Sequence, residues 1–123
     1  MPSIRTDKQI FPFFDSVKNP ITSIGVSDAF HNNGFGTMTI EVDGVAGGYV
    51  EGCMNIINSD GSAKTDNECS WTKLALINME DFSVSSTFTT TGKYCIGING
   101  MTRVRVVLTS ISGSAVIVGT AEA

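Results

Sequence analysis

Glu41, Asp43 and Glu51 are the carboxylates whose spacing could support acid–base chemistry. Glu41 and Asp43 stand two apart, so an extended backbone points both to one face, with Glu51 near enough to join them. Glycoside hydrolysis needs two carboxyl groups about 5–10 Å apart in a cleft. The spacing permits such a pair, but solvated acids on a strand face are the far commoner explanation, and the catalytic reading is set aside. His31, the single histidine, has no Gly-x-Ser-x-Gly elbow to set a serine against it. Asn58-Ser59-Asp60-Gly61 has the outline of a calcium loop, but that register puts Ile56 and Asn67 where the first and last ligands belong. Cys53, Cys69 and Cys95 include no Cys-x-x-Cys pair, and with His31 they lack the tight ligand spacing of a tetrahedral zinc site. They read as small buried or half-buried apolar residues. The alternative is a Cys53–Cys69 bridge across the central polar insertion, which requires an oxidising setting that nothing else in the chain indicates. No catalytic residue, metal or cofactor is expected, so the protein is read as a non-enzyme that acts by contact.

The elements that would hold these residues are strands. Met38, Ile40 and Val42 alternate with Thr37, Thr39 and Glu41 and end at Asp43-Gly44. Ile24 and Val26 alternate with Ser23, Gly25 and Ser27 in the same way. Val45 to Val50 and Cys53 to Ile57 make two strands or one bent one, with Gly47-Gly48 and Gly52 marking bends. Trp71, Leu74, Leu76 and Ile77 return the chain to the core after the polar loop of residues 62–70. Phe82, Val84 and Phe88 share one phase. Three short strands close the chain, carrying Tyr94, Ile96 and Ile98, then Val104, Val106 and Leu108, then Val116 and Val118. Gly100 and Ser112-Gly113-Ser114 are read as the turns between them. No stretch keeps a helical period over three turns. The pattern predicts an all-β, antiparallel β-sandwich of about seven to nine strands spanning residues 21–123, preceded by an extended arm, residues 1–20.

In the arm, Ile10-Phe11-Pro12-Phe13-Phe14 is a dense aromatic knot. Pro12 withholds a hydrogen-bond donor, so the segment is unsuited to a central strand. Three phenylalanines are costly to leave in water. They must fold back over the chain's own sheet or dock on a partner. Ile10, Phe11, Phe13 and Phe14 are therefore the leading partner-binding residues, and deletion of residues 1–15 is expected to leave a folded sandwich that no longer binds. Arg103 and Arg105, two apart on one strand face, join them as interface-facing charges.

At 123 residues the chain is one domain, large enough to bury roughly 65% of its unfolded surface without disulfides. Eight scattered Lys and Arg against twelve Asp and Glu leave a net charge of −4, which excludes a basic stripe for nucleic acid. No apolar run approaches the ~20 residues of a membrane span. The first nine residues contain no hydrophobic signal core, so synthesis and retention in a cytoplasm are expected.

Taken in order, Gly36 to Val42, Ser59-Asp60-Gly61 with Trp71, Thr91 to Tyr94, Gly100 to Val106 and Ser112 to Val118 resemble the small β-sandwich virion proteins of tailed bacteriophages. The likeness covers about two-thirds of the chain, and the gap from Gly61 to Trp71 is longer than usual in that group. It implies a free-standing virion protein, foremost a capsid decoration protein or head-fibre subunit. Its partners would be the major capsid protein or other virion proteins and further copies of itself, a trimer being the expected assembly, with no nucleic acid or membrane. A tail or baseplate role, or a sugar-binding module using Trp71, Phe35 or Tyr49, is the competing expectation.

Overall fold

The computed structural model describes residues 8–15, 21 and 23–122. Among them, nine strands pair antiparallel: β1 (Lys8–Phe14), β2 (Gly25–Val26), β3 (Phe30–His31), β4 (Thr37–Cys53), β5 (Thr72–Lys73), β6 (Leu76–Asn78), β7 (Val84–Ser85), β8 (Gly92–Gly97) and β9 (Arg103–Glu122). One 3-10 turn, Asp66–Glu68, lies in the central polar loop. The architecture is the all-β sandwich expected from the alternating pattern. The parts of the expected arm at residues 1–7 and 16–20 lie outside the described residues.

A ribbon of β4 and β9 forms the spine, paired from Thr37↔Glu122 to Cys53↔Arg103. Neither Asp43-Gly44 nor Ser112-Gly113-Ser114 ends a strand, contrary to the sequence reading. Both lie at the same level of the ribbon, where the register shifts between Asp43 and Val45. Gly44 (φ +127°) and Gly113 (φ +76°) take backbone conformations that disfavour side chains, and a Cβ on Gly44 would lie 2.7 Å from the Ser114 carbonyl. A second shift follows between Gly47 and Gly48, as the paired glycines predicted. Bulges of this kind bend a ladder and let it resume on the far side.

The extent of the bend follows from two contacts. Phe30 pairs with Val104 and Phe11 with Gly119, some 15 positions further along β9. A straight strand would separate them by roughly 50 Å. Their rings are 5.5 Å apart instead, so β9 folds back on itself, and β4 with it. One layer therefore holds β1, the C-terminal half of β9, the N-terminal half of β4, then β8, β6 and β7. The other holds β2 and β3, the remaining halves of β9 and β4, and β5. Met38, Ile40, Val42, Ile96 and Ile117 meet Val50, Val104, Val106 and Leu108 in a single core.

Several phases differ from the alternation read in the sequence. Ala115, Ile117 and Ala121 face the core, and Val116 and Val118 lie half-buried on the outer face. Thr109, the one extra residue of β9 at the Gly47/Gly48 shift, reverses the phase of everything after it, and the Gly113 bulge, which adds two residues, preserves that new phase. Ser27 is buried in place of Ile24 and Val26, because its Oγ accepts the Val106 N–H at 2.9 Å and donates to the Asp28 carbonyl at 2.9 Å. Leu74, Leu76 and Phe88 enter the core, while Ile77, Phe82 and Val84 stay exposed at the far edge. β1 occupies the opposite edge, the place Pro12 permits, with a register shift between Pro12 and Phe14.

Candidate functional site

The outer face of the first layer carries a continuous cross-strand row. Ile10 opposes Thr120, Thr120 opposes Thr39, Thr39 opposes Cys95, Cys95 opposes Ile77, and Ile77 opposes Val84. Directly opposed residues share a face, so these six side chains form one line across β1, β9, β4, β8, β6 and β7. Five inter-strand spacings make it roughly 24 Å long. It contains no charge. Its ends are the most open, with Ile10 69% and Val84 68% exposed. The row on one side is Pro12, Val118, Glu41 and Lys93; on the other it is Lys8, Glu122, Thr37 and Gly97. Charges thus border an apolar and threonine-rich centre.

At the β7 end the row runs into the hairpin between β6 and β7. Phe82 is 77% exposed and adopts φ +61°, the left-handed region that a bulky residue rarely occupies. The turn is held by hydrogen bonds from Phe82 N–H to the Asn78 carbonyl and from Asn78 N–H to the Ser83 carbonyl, both 2.8 Å. Asp81 accepts from the Ser83 N–H and hydroxyl, which holds its carboxyl below the usual range. A groove of about 420 Å³ beside the hairpin is lined by Asn78, Met79, Glu80, Thr91, Gly92 and Lys93. Thr91, which lines it, exchanges hydrogen bonds with the Gly44 backbone: its hydroxyl accepts the Gly44 N–H at 3.1 Å and donates to the Gly44 carbonyl at 3.0 Å.

The outer face of the second layer has a different chemistry. Arg105 Nε donates to Glu51 Oε1 at 2.6 Å, with both side chains largely buried, and its guanidinium lies 3.9 Å over the Trp71 ring. Arg103 Nη1 donates to Asp66 Oδ1 at 2.8 Å and approaches Cys69 Sγ at 3.5 Å. Trp71 Nε1 donates to the Asp66 carbonyl at 2.8 Å. Arg103 Nε is buried with no partner. These contacts clamp the loop of residues 54–71 onto the sheet. Cys53, at the end of β4, has its thiol pushed up to about 11, first by burial and then by its hydrogen bond with Cys69.

Among the residues singled out from the sequence, Phe13 and Phe14 lie in the core, and Phe11 packs edge-on against Phe13 and Phe30. Ile10 is the one fully exposed member of that knot, with Phe11 and Pro12 half-buried. Arg103 and Arg105 share a strand face as their spacing required, and both engage acids of their own chain. Phe35 is buried, Trp71 is covered by Arg105, and Lys73 sits 4.3 Å over Tyr49, so none of the three is an open platform for a sugar. Glu51 is bound to Arg105 on the opposite layer from Glu41 and Asp43, which breaks up the carboxylate group. Asp60 is occupied by the Ser62 hydroxyl and N–H of its own turn. Sequence reading missed the row through Thr39 and Cys95 and the exposure of Phe82. Only the strand register, which depends on the bulges, brings them together.

Searches against protein-family profiles and curated proteins found no match to the sequence. Solved structures do match the fold, which defines a class of small antiparallel β-sandwich proteins. SPBc2 prophage-derived protein YomS matches with a TM-score of 0.74 at 19% identity, over 98% of this chain and 97% of that one. PBSX exported protein XepA matches with a TM-score of 0.73 at 17% identity, over 94% of this chain but 37% of that one.

Proposed function

We propose that this protein is a non-enzymatic structural component of a bacteriophage particle, and more narrowly a capsid decoration protein that binds the major capsid protein. The observation that carries the reading is the uncharged row from Ile10 to Val84, extended by the strained, exposed Phe82. An apolar centre bordered by charges is the composition of a protein-binding face. The mechanism is additive: a bound subunit bridges shell proteins and stabilises their assembled form by mass action. Repetition on a symmetric lattice suits a cyclic oligomer, with a trimer as the working assignment. The likeness to prophage-derived YomS supports the phage context.

A second reading is favoured by XepA, a longer protein described as exported, of which this fold covers 37%. In that reading the protein is a tail- or baseplate-associated module whose same face contacts the host surface. Purified protein added to phage shells lacking it, then imaged by electron microscopy, separates the two. Regular density at lattice positions supports decoration. Bare shells would overturn it, and binding to host cell envelopes in parallel would establish the second reading.

A further inference from the structure

We propose that Cys53 and Cys69 form a built disulfide site that locks the central loop onto the end of β4. The site is independent of the outer face described above. Cys53 is the last residue of β4 and the ladder partner of Arg103. The Arg103 guanidinium binds Asp66 at 2.8 Å and reaches Cys69 Sγ at 3.5 Å, so a single side chain fixes the 3-10 turn and delivers the residue after it. Cys53 and Cys69 are thus both gathered at Arg103, one as its ladder partner and the other against its guanidinium, and Cys69 is one of the groups that raise the Cys53 thiol. Closure requires the two sulfurs to meet at about 2.05 Å. Cys95 lies on the outer face of the other layer, between Thr39 and Ile77. Both members of the pair are thiols in this structure.

The oxidant is a small disulfide such as oxidised glutathione. Cys69, half-buried where Cys53 is fully buried, meets it first. Its sulfur loses a proton to solvent and attacks the oxidant, releasing one small thiol and forming a mixed disulfide. Cys53 then loses its proton and attacks Cys69 Sγ, releasing the second small thiol. Two protons and two electrons leave the protein, and the oxidant departs as two thiols. The bridge closes a loop of the 15 residues between the cysteines, which the chain-entropy account translates into a thermal midpoint higher by roughly 10–15 °C.

The test incubates the full chain with oxidised glutathione, counts thiols with Ellman's reagent after unfolding, and maps peptides without reduction. The expected result is one remaining thiol, at Cys95, and a linked pair containing Cys53 and Cys69. Cys95→Ser should still lose two thiols, and the half-buried Cys69→Ser should retain both of its own. Three persistent thiols in the wild-type chain, or any bridge that includes Cys95, overturns the proposal.

Discussion

Phe82 combines two costs that its own fold does not recover. A left-handed backbone at a bulky residue costs on the order of 1 kcal/mol, and an exposed aromatic ring gains little burial. Strain kept without local return points to a contact made elsewhere. Phe82→Asn, which tolerates that backbone, should leave the urea midpoint unchanged or raised by up to about 1 kcal/mol of stability while partner binding falls. Arg105 behaves in the opposite way. Removing it strands Glu51 as a buried, uncompensated carboxylate, so Arg105→Ala should cost about 3 kcal/mol in urea unfolding. Arg105→Lys should recover only part, because an ammonium lacks the planar group that both binds Glu51 and stacks on Trp71. The shared face of Arg103 and Arg105 was legible from their spacing. Their partners were not, since Glu51 and Asp66 stand 54 and 37 positions away in sequence.

At the scale of elements, β1 decides how the N-terminal segment should be understood. Lys8–Phe14 pairs with the end of β9, and Phe13 fills the space over Gly119, where a Cβ would lie 2.6 Å from its ring. Deleting residues 1–15 should therefore open the core, with loss of cooperative unfolding by circular dichroism, and not yield the folded, binding-deficient sandwich that the sequence suggested. A truncated chain that still unfolds cooperatively near the wild-type midpoint would return β1 to the status of a detachable arm. The sequence did show the alternation of Met38, Ile40 and Val42, the inward Ile96 and Ile98, and Pro12 at an edge. What it concealed was continuity. Glycine turns and glycine bulges have the same local chemistry, and only the partner strand decides whether the ladder ends or resumes. Gly44 facing residues 113–115 makes it resume, giving two strands of 17 and 20 residues where shorter ones were read. The extra Thr109 at the Gly47/Gly48 shift reversed the phase of Val116 and Val118, and with it the view of which residues line the outer face.

Over the whole molecule, the folded-back ribbon creates two outer faces with different roles. One is closed by the loop of residues 54–71, its arginines bound to Glu51 and Asp66 and its aromatics covered. The other presents an uncharged row from edge to edge, with Ile10 and Val84 open at its ends. Among the described residues no three His, Cys, Asp or Glu side chains gather to hold a metal ion. Contact through the open face is the central claim. The most direct test is co-sedimentation of the protein with phage shells lacking it, comparing wild type with an Ile10→Glu/Val84→Glu double variant. Both sites are widely exposed and stand on opposite edges, so the variant should unfold near the wild-type urea midpoint. The account predicts saturable wild-type binding and a variant weaker by roughly 30-fold or more, the scale of a hot-spot loss. Equal binding by the two proteins, or no binding by the wild type, would contradict it.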